Sequence, residues 1–192
     1  MTVALPVGSS IEVVRPPFLW GESCLVVDRF ATFGAGGITE IGQLVSAAKN
    51  TSATVRVRLE AAKSLWQLVG DATDCIPQNH PARRAKAIVH LPMSASNGFA
   101  LNAVACAVSE VLGIQVHSNC LIKTVAGPTM KAAPPAVKAS IAGTFSAHGV
   151  PDGPLLVIDD IVETGATLAA AAQGLNAAGA GELAFFAAVV LY

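Results

Sequence analysis

One short segment constrains the fold of this chain more than any other, residues 155–168 with the sequence LLVIDDIVETGATL. Its first four residues form a continuous apolar run, which is typical of a strand buried on both faces of a parallel sheet. Asp159 and Asp160 follow the run, and a Thr-Gly-Ala-Thr turn then opens a helix. The order predicts a strand–turn–helix unit with two carboxylates at the ligand-binding edge of the sheet.

The turn at residues 164–167 is suited to hold a phosphate group. Free backbone N–H groups and the positive end of the helix dipole favour an anion there, and the two threonine hydroxyls add donors. Gly165 lets the backbone approach the anion closely. Asp159 and Asp160 can accept hydrogen bonds from vicinal ribose hydroxyls or act on a magnesium hydration shell. The pattern predicts a ribose-phosphate site; the alternative is an ordinary turn with solvated acids and an N-capping threonine.

The sequence DDIVETGAT resembles the phosphoribosyl-pyrophosphate (PRPP) motif of type I phosphoribosyltransferases. The resemblance implies that Asp159 and Asp160 bind the ribose 2′ and 3′ hydroxyls and act on Mg²⁺ indirectly. With Glu163 they are the expected catalytic residues. The residues expected around the 5′-phosphate are Val162, Glu163, Thr164, Gly165, Ala166 and Thr167. The implied reaction moves the 5-phosphoribosyl group from PRPP to a nitrogen acceptor, a nucleobase or related heterocycle. It releases pyrophosphate and uses Mg²⁺ as cofactor.

Composition limits the other possibilities. With 192 residues, of which 53% are hydrophobic and 13% charged, the chain is expected to form one α/β domain with an apolar surface suited to a homodimer. A net charge of −1 and the lack of a Lys/Arg run argue against a nucleic-acid surface. The four cysteines lack metal-ligand spacing. The N-terminus does not read as a signal peptide, so we expect a cytoplasmic protein that is not in a membrane.

Strands and helices alternate through the second half of the chain. Strands are predicted at residues 87–91, 114–122, 155–158 and 183–191, and helices at 98–112 and 164–178. The alternation predicts a doubly wound, Rossmann-like parallel α/β sheet of the type I phosphoribosyltransferase kind.

The first 85 residues do not follow this alternation. Residues 11–14 and 24–32 are predicted to pair as antiparallel strands, and helices are expected at 38–49 and 55–69. We interpret the strands as a small N-terminal hood, which in type I enzymes covers the base. The predicted organisation is therefore one domain over residues 1–192, with a hood and flanking helices at 1–85 and a PRPP-binding core at 86–192.

Two further loops are candidate parts of the site. The loop after the first core strand lies where the family places its pyrophosphate loop, with Met93, Ser94, Ala95 and Ser96 as the expected residues; the alternative is a plain connection. The long proline-bearing loop at residues 124–136 resembles the family's mobile lid. Its expected cations are Lys123, Lys131 and Lys138, and the alternative for each is a solvated surface lysine.

Glu163 has two open interpretations. It precedes Thr164, where purine-salvage members carry an aspartate that handles a proton of the base, so a glutamate could act as a general base. It could equally favour the helix dipole.

Several stretches resemble the ComF-like branch of the family, among them HLPMSASNGFALNAVACAVSE. The chain departs from that branch because it lacks the N-terminal zinc module and carries Asn97 where the branch has an arginine. The alternative functions are therefore a non-catalytic sensor of PRPP or nucleotides and a ComF-like DNA-uptake accessory protein.

Overall fold

The computed structural model describes residues 11–17, 19, 22–31, 37–93, 98–124 and 144–191. The strands are β1 (Glu12–Val14), β2 (Cys24–Arg29), β3 (Ala87–His90), β4 (Gln115–His117), β5 (Leu121–Lys123), β6 (Phe145–Ala147), β7 (Leu155–Val162) and β8 (Leu183–Val190). The helices are α1 (Glu40–Lys49), α2 (Val55–Asp74), α3 (Gly98–Leu112) and α4 (Ala166–Ala177), and a 3₁₀ turn lies at Pro81–Arg84. None of the helices described is both long and apolar enough to cross a bilayer.

Six strands form the main sheet in the order β1-β2-β8-β7-β3-β4. Only the β1–β2 pair is antiparallel, and the other four pairs are parallel. The apolar run that opens β7 is fully buried, as expected for a parallel strand covered on both faces. The predicted α/β class with a doubly wound, mostly parallel sheet is confirmed.

The strand order reverses between β3 and β7. The connection from β3 through α3 leads to β4 at one edge, whereas the connection from β7 through α4 leads to β8 on the other side. Because parallel connections are right-handed, α3 and α4 cover opposite faces of the sheet. Their N-termini diverge at the carboxyl ends of β3 and β7, which leaves a crevice where such sheets bind ligands.

The N-terminal strands differ from the separate hood that the sequence predicts. β1 and β2 do pair with each other, but the other edge of β2 pairs in parallel with β8, so both strands belong to the main sheet. The physical reason lies in the residues of β2, since its first four side chains, CLVV, are all buried. An apolar strand of this kind needs a layer on each face, and the main sheet provides that position.

The strand expected at residues 114–122 is two short strands instead. A turn at residues 118–119 separates β4, which joins the main sheet, from β5, which pairs with β6 in a two-stranded antiparallel ribbon. The ribbon packs on α4 so closely that a Cβ at Gly174 would lie 2.8 Å from the backbone oxygen of Phe145. Most of the predicted lid loop falls at residues 125–143, outside the described residues.

Candidate functional site

The crevice between the carboxyl ends of β3 and β7 brings together the ends of two loops that the sequence analysis selected. The turn before α4 leaves β7, and Met93 leaves β3 toward α3. Met93 is exposed, whereas Ser94, Ala95 and Ser96 lie outside the described residues. The fold therefore places the start of the predicted pyrophosphate loop and the whole predicted phosphate turn at one edge of the sheet.

Asp159 and Asp160 lie inside β7, which continues to Val162 rather than ending at the acids. Successive residues of a strand leave opposite faces of the sheet, yet the two carboxyl groups lie close enough to interact with each other. Both residues are buried, with 8% and 2% of their surface exposed. The backbone N–H of Asp160 donates to Oδ1 of Asp159 at 2.8 Å, which ties the two residues together.

Lys49 is a site residue that the sequence analysis missed. Its Nζ donates to both carboxylate oxygens of Asp160, at 2.9 Å to Oδ1 and 2.7 Å to Oδ2. The Asp160 side chain is 3% exposed and the Lys49 side chain 24%. A lysine in the last turn of a helix usually favours the helix dipole, and nothing in the sequence connects it to a residue 111 positions away.

Two contacts fix the helix that carries Lys49. At its start, the Thr39 hydroxyl accepts the N–H of Gly42 at 3.1 Å and donates to the carbonyl of Arg29 at 2.6 Å, which ties α1 to β2. At its end, Nε of Arg58 donates to the carbonyl of Ala48 at 3.0 Å. The lysine is therefore presented to Asp160 by a helix held at both ends.

Burial raises the pKa of Asp159 well above its usual range, and the charge of Asp160 raises it further. The Asp160 backbone N–H and the Lys49 ammonium act in the opposite direction. Burial, assisted by the charge of Asp159, also raises the pKa of the Cys24 thiol. The two aspartates therefore differ in character: Asp160 is ion-paired, and the environment of Asp159 favours the neutral acid.

The turn before α4 has a conformation that only glycine adopts readily. Gly165 has a φ of +77°, and a Cβ there would lie 2.6 Å from Cβ of Pro16. The Thr164 hydroxyl accepts the N–H of Ala166 at 3.4 Å. Among the described residues, none accepts the backbone N–H of Thr167, so this donor remains for an anion.

The threonine side chains and Glu163 line the outer part of this turn. Thr164 and Thr167 are half-buried, and Glu163 is exposed at the rim, while Val162 is buried at the end of β7. The hydroxyls can therefore reach a bound group from the protein side. The exposed carboxylate of Glu163 is compatible with both of its open interpretations.

The aspartate pair does not fit direct coordination of a magnesium ion. Both oxygens of Asp160 accept hydrogen bonds from Lys49, and Oδ1 of Asp159 accepts one from a backbone N–H. Within the part of the chain that the structure describes, no group of three or more His, Cys, Asp or Glu side chains is placed to hold a metal ion. An action on Mg²⁺ through water, as the sequence analysis expected, is compatible with this arrangement.

The expected lid cations are only partly within the structure. Lys123 ends β5 and is exposed, and it pairs with Phe145 in the ribbon. Lys131 and Lys138 lie outside the described residues. The predicted lid at residues 124–136 begins directly after β5, where the N–H of Thr124 donates to the carbonyl of Thr144 at 2.8 Å.

His90 is a second residue at this edge that the sequence did not single out. It ends β3, pairs with Ile158 and is 1% exposed. Its Nδ1 lies 2.7 Å from the carbonyl oxygen of Leu91, which assigns the proton to Nδ1, and among the described residues its buried Nε2 has no hydrogen-bond partner. Nε2 is thus an acceptor that the described residues leave unused.

Comparisons with known proteins add a fold-level likeness. No family model matches this chain, and no curated protein matches it significantly. Among solved structures, it is similar to the adenine phosphoribosyltransferase from Leishmania tarentolae, with 13% identity over 94% of each chain and a TM-score of 0.48.

Proposed function

We propose that this protein is a PRPP-dependent phosphoribosyltransferase, a pentosyltransferase of the type I kind. The observation that carries the proposal is the position of the DDIVETGAT segment at the carboxyl edge of the sheet, where the strand order reverses. An acid pair, a left-handed glycine and a helix N-terminus occur together there. Each of these features suits one part of a ribose phosphate.

The proposed roles follow from the geometry. The 5′-phosphate accepts the N–H of Thr167 and the hydroxyls of Thr164 and Thr167 in the first turn of α4. Asp160 accepts the ribose hydroxyls with the lone pairs that Lys49 leaves. Asp159 contributes by accepting the backbone N–H of Asp160. These residues chiefly position the sugar, which is the main task when a bond at ribose C1 breaks through an oxocarbenium-like state.

The remaining parts of the proposal concern the departing pyrophosphate. Residues 93–96 would bind it through backbone N–H groups, and Lys123, Lys131 and Lys138 would approach it from the lid. Mg²⁺, bound with the pyrophosphate and through water to the acids, would supply charge neutralisation. A closed lid would exclude water, which competes with the acceptor for the sugar. Glu163 would serve the acceptor as a general base or only favour the helix dipole.

The acceptor, the oligomeric state and the cellular location are also proposals. We propose a nucleobase or related heterocycle as acceptor, a place in cytoplasmic nucleotide metabolism, and a relation to the ComF-like branch. A single domain over residues 1–192 is proposed to form a homodimer. Exposed apolar side chains on α2 support this proposal, since Val55, Leu59 and Trp66 keep 60%, 51% and 37% of their surfaces exposed.

A second candidate is a sensor that binds PRPP or a nucleotide without chemistry. It would use the same contacts with PRPP, with Lys49 and Asp160 holding the ribose and no acceptor bound. A DNA-uptake accessory role is the third candidate, and the net charge of −1 argues against it.

Pyrophosphate release separates the enzyme from the sensor. Purified protein with PRPP and MgCl₂ is offered a panel of purine, pyrimidine and related heterocyclic bases, and released pyrophosphate is measured. The enzyme proposal predicts release with at least one base and none from Asp160→Asn. Asp152→Asn, on an exposed turn before β7, is the matched control and should keep wild-type activity. PRPP binding without release from any base would favour the sensor.

A further inference from the structure

We propose that Lys49 is a positioning residue of the ribose site, which pairs with the Asp160 carboxylate and holds it in one orientation for a sugar diol. The inference rests on the proposed function, because it concerns how the same site binds the ribose of PRPP. It goes beyond the motif, since Lys49 lies on α1, far from β7 in the sequence.

The first step of the argument is the burial of Asp160. Its side chain is 3% exposed, so water solvates the carboxylate poorly, and the charge needs a partner within the protein. Lys49 Nζ lies 2.7 and 2.9 Å from the two oxygens, which is the distance range of charge-assisted hydrogen bonds. The two contacts together fix the rotation of the carboxylate.

The second step is the rigidity of the lysine's support. α1 is tied to β2 by Thr39 and to α2 by Arg58. The guanidinium of Arg58 also lies 4.4 Å from the centre of the Phe99 ring, in the first turn of α3. The end of α1 is therefore linked to the helix that begins at the crevice, and this link fixes the position of Lys49 relative to the site.

The third step concerns the hydrogen-bond acceptor positions of Asp160 that Lys49 does not use. A carboxylate has about four acceptor positions, and Lys49 uses two of them. We assign the remaining positions to the two hydroxyls of a ribose diol. Because the ion pair fixes the carboxylate before the ligand arrives, the sugar does not have to order it, and binding gains from preorganisation.

Binding of PRPP with MgCl₂ by isothermal titration calorimetry tests the proposal. Lys49→Met is expected to weaken PRPP binding about 10- to 100-fold, the loss for hydrogen bonds to a charged group. Lys49→Arg keeps a cation that can pair with both oxygens, so it should bind PRPP more tightly than Lys49→Met. Lys63→Met, which removes an exposed lysine of α2, is the matched control and should bind like wild type.

A double variant distinguishes positioning through Asp160 from a direct contact with the ligand. If Lys49 acts through the carboxylate, Lys49→Met combined with Asp160→Asn binds no more weakly than Asp160→Asn alone, measured at millimolar PRPP. A further tenfold loss in the double variant would overturn the positioning role. Circular dichroism checks the fold of each variant. Should Lys49→Met not fold, Lys49→Gln, which keeps an N–H donor without charge, takes its place with the same expected loss.

The outcomes separate this inference from the proposed function. If wild type does not bind PRPP with MgCl₂, the proposed function fails and the inference fails with it. If wild type binds PRPP and Lys49→Met binds it equally well, only the inference fails. If wild type and Lys49→Arg bind PRPP and Lys49→Met binds it weakly, the proposed function and the inference are both supported.

Discussion

The turn that carries the proposed phosphate site should be intolerant of any side chain at Gly165. Two separate effects oppose Gly165→Ala. The φ of +77° is a left-handed conformation that costs a residue with a Cβ about 1–2 kcal/mol. The new Cβ would also lie 2.6 Å from Cβ of Pro16, about 1 Å closer than carbon atoms pack.

Relief of that overlap requires the turn and the Pro16 segment to separate. Overpacking of this kind costs about 1–3 kcal/mol, so the total loss is about 2–5 kcal/mol of the free energy of unfolding. A domain with a typical stability of about 5–15 kcal/mol remains folded after such a loss. The effect is therefore measurable by urea denaturation.

Gly113→Ala is the control that isolates the backbone effect. Gly113 has a φ of +68°, and no atom lies within 4 Å of a Cβ placed there. It should lose only the conformational part, about 1–2 kcal/mol. In a Pro16→Gly background the packing part of the Gly165→Ala loss should also disappear. Equal losses for Gly165→Ala and Gly113→Ala would refute the argument that the Pro16 contact restricts this turn.

Three further changes test other parts of the account. Asp159→Asn keeps the acceptor for the Asp160 N–H but removes the titrating group. Because the pKa of Asp159 is raised in the folded state, wild type should lose stability as the pH rises from the ordinary carboxyl range through the folded pKa. The free energy of unfolding in urea should therefore change less with pH in the variant than in wild type between pH 4 and 8, and equal slopes would contradict this. Gly174→Ala should lose about 1–3 kcal/mol of the free energy of unfolding in urea, because its Cβ would lie 2.8 Å from the Phe145 backbone oxygen. Gly98→Ala, with open space around its Cβ, is the control and should change little. Similar losses for the two variants would oppose the packing of the ribbon on α4. Lys49→Met should lose about 2–4 kcal/mol of the free energy of unfolding, because it leaves the Asp160 carboxylate without its ion-pair partner. The double variant Lys49→Met with Asp160→Asn should lose less than the sum of the two single losses. Additive losses would argue against the ion pair.

Local patterns in the sequence predicted the elements that depend on near neighbours. Helix α3 has the bounds that its apolar periodicity indicated, and the apolar run of β7 lies in the centre of the sheet. The left-handed Gly165 agrees with the expectation that the turn needs a glycine. In each case the residues that determine the structure lie within one or two turns of each other.

The parts that the sequence could not provide depend on distant contacts. β2 was expected in a hood because its antiparallel partner is close in the chain, and its pairing with β8 joins residues about 160 positions apart. The Lys49–Asp160 pair is non-local in the same way, since no helical or strand period connects the two residues. The turn that divides β4 from β5, at Ser118 and Asn119, did carry a local signal, because both residue types favour turns.

Thermal unfolding with and without PRPP and MgCl₂ tests the central claim most directly. Ligand at about 100 times its Kd adds about 2.7 kcal/mol, which for a chain of this length raises the Tm by about 5–10 °C. The account predicts this rise for wild type and for the exposed-turn control Asp152→Asn, and its loss in Asp160→Asn. No rise for wild type at saturating PRPP, or an equal rise in Asp160→Asn, would contradict the proposed PRPP site.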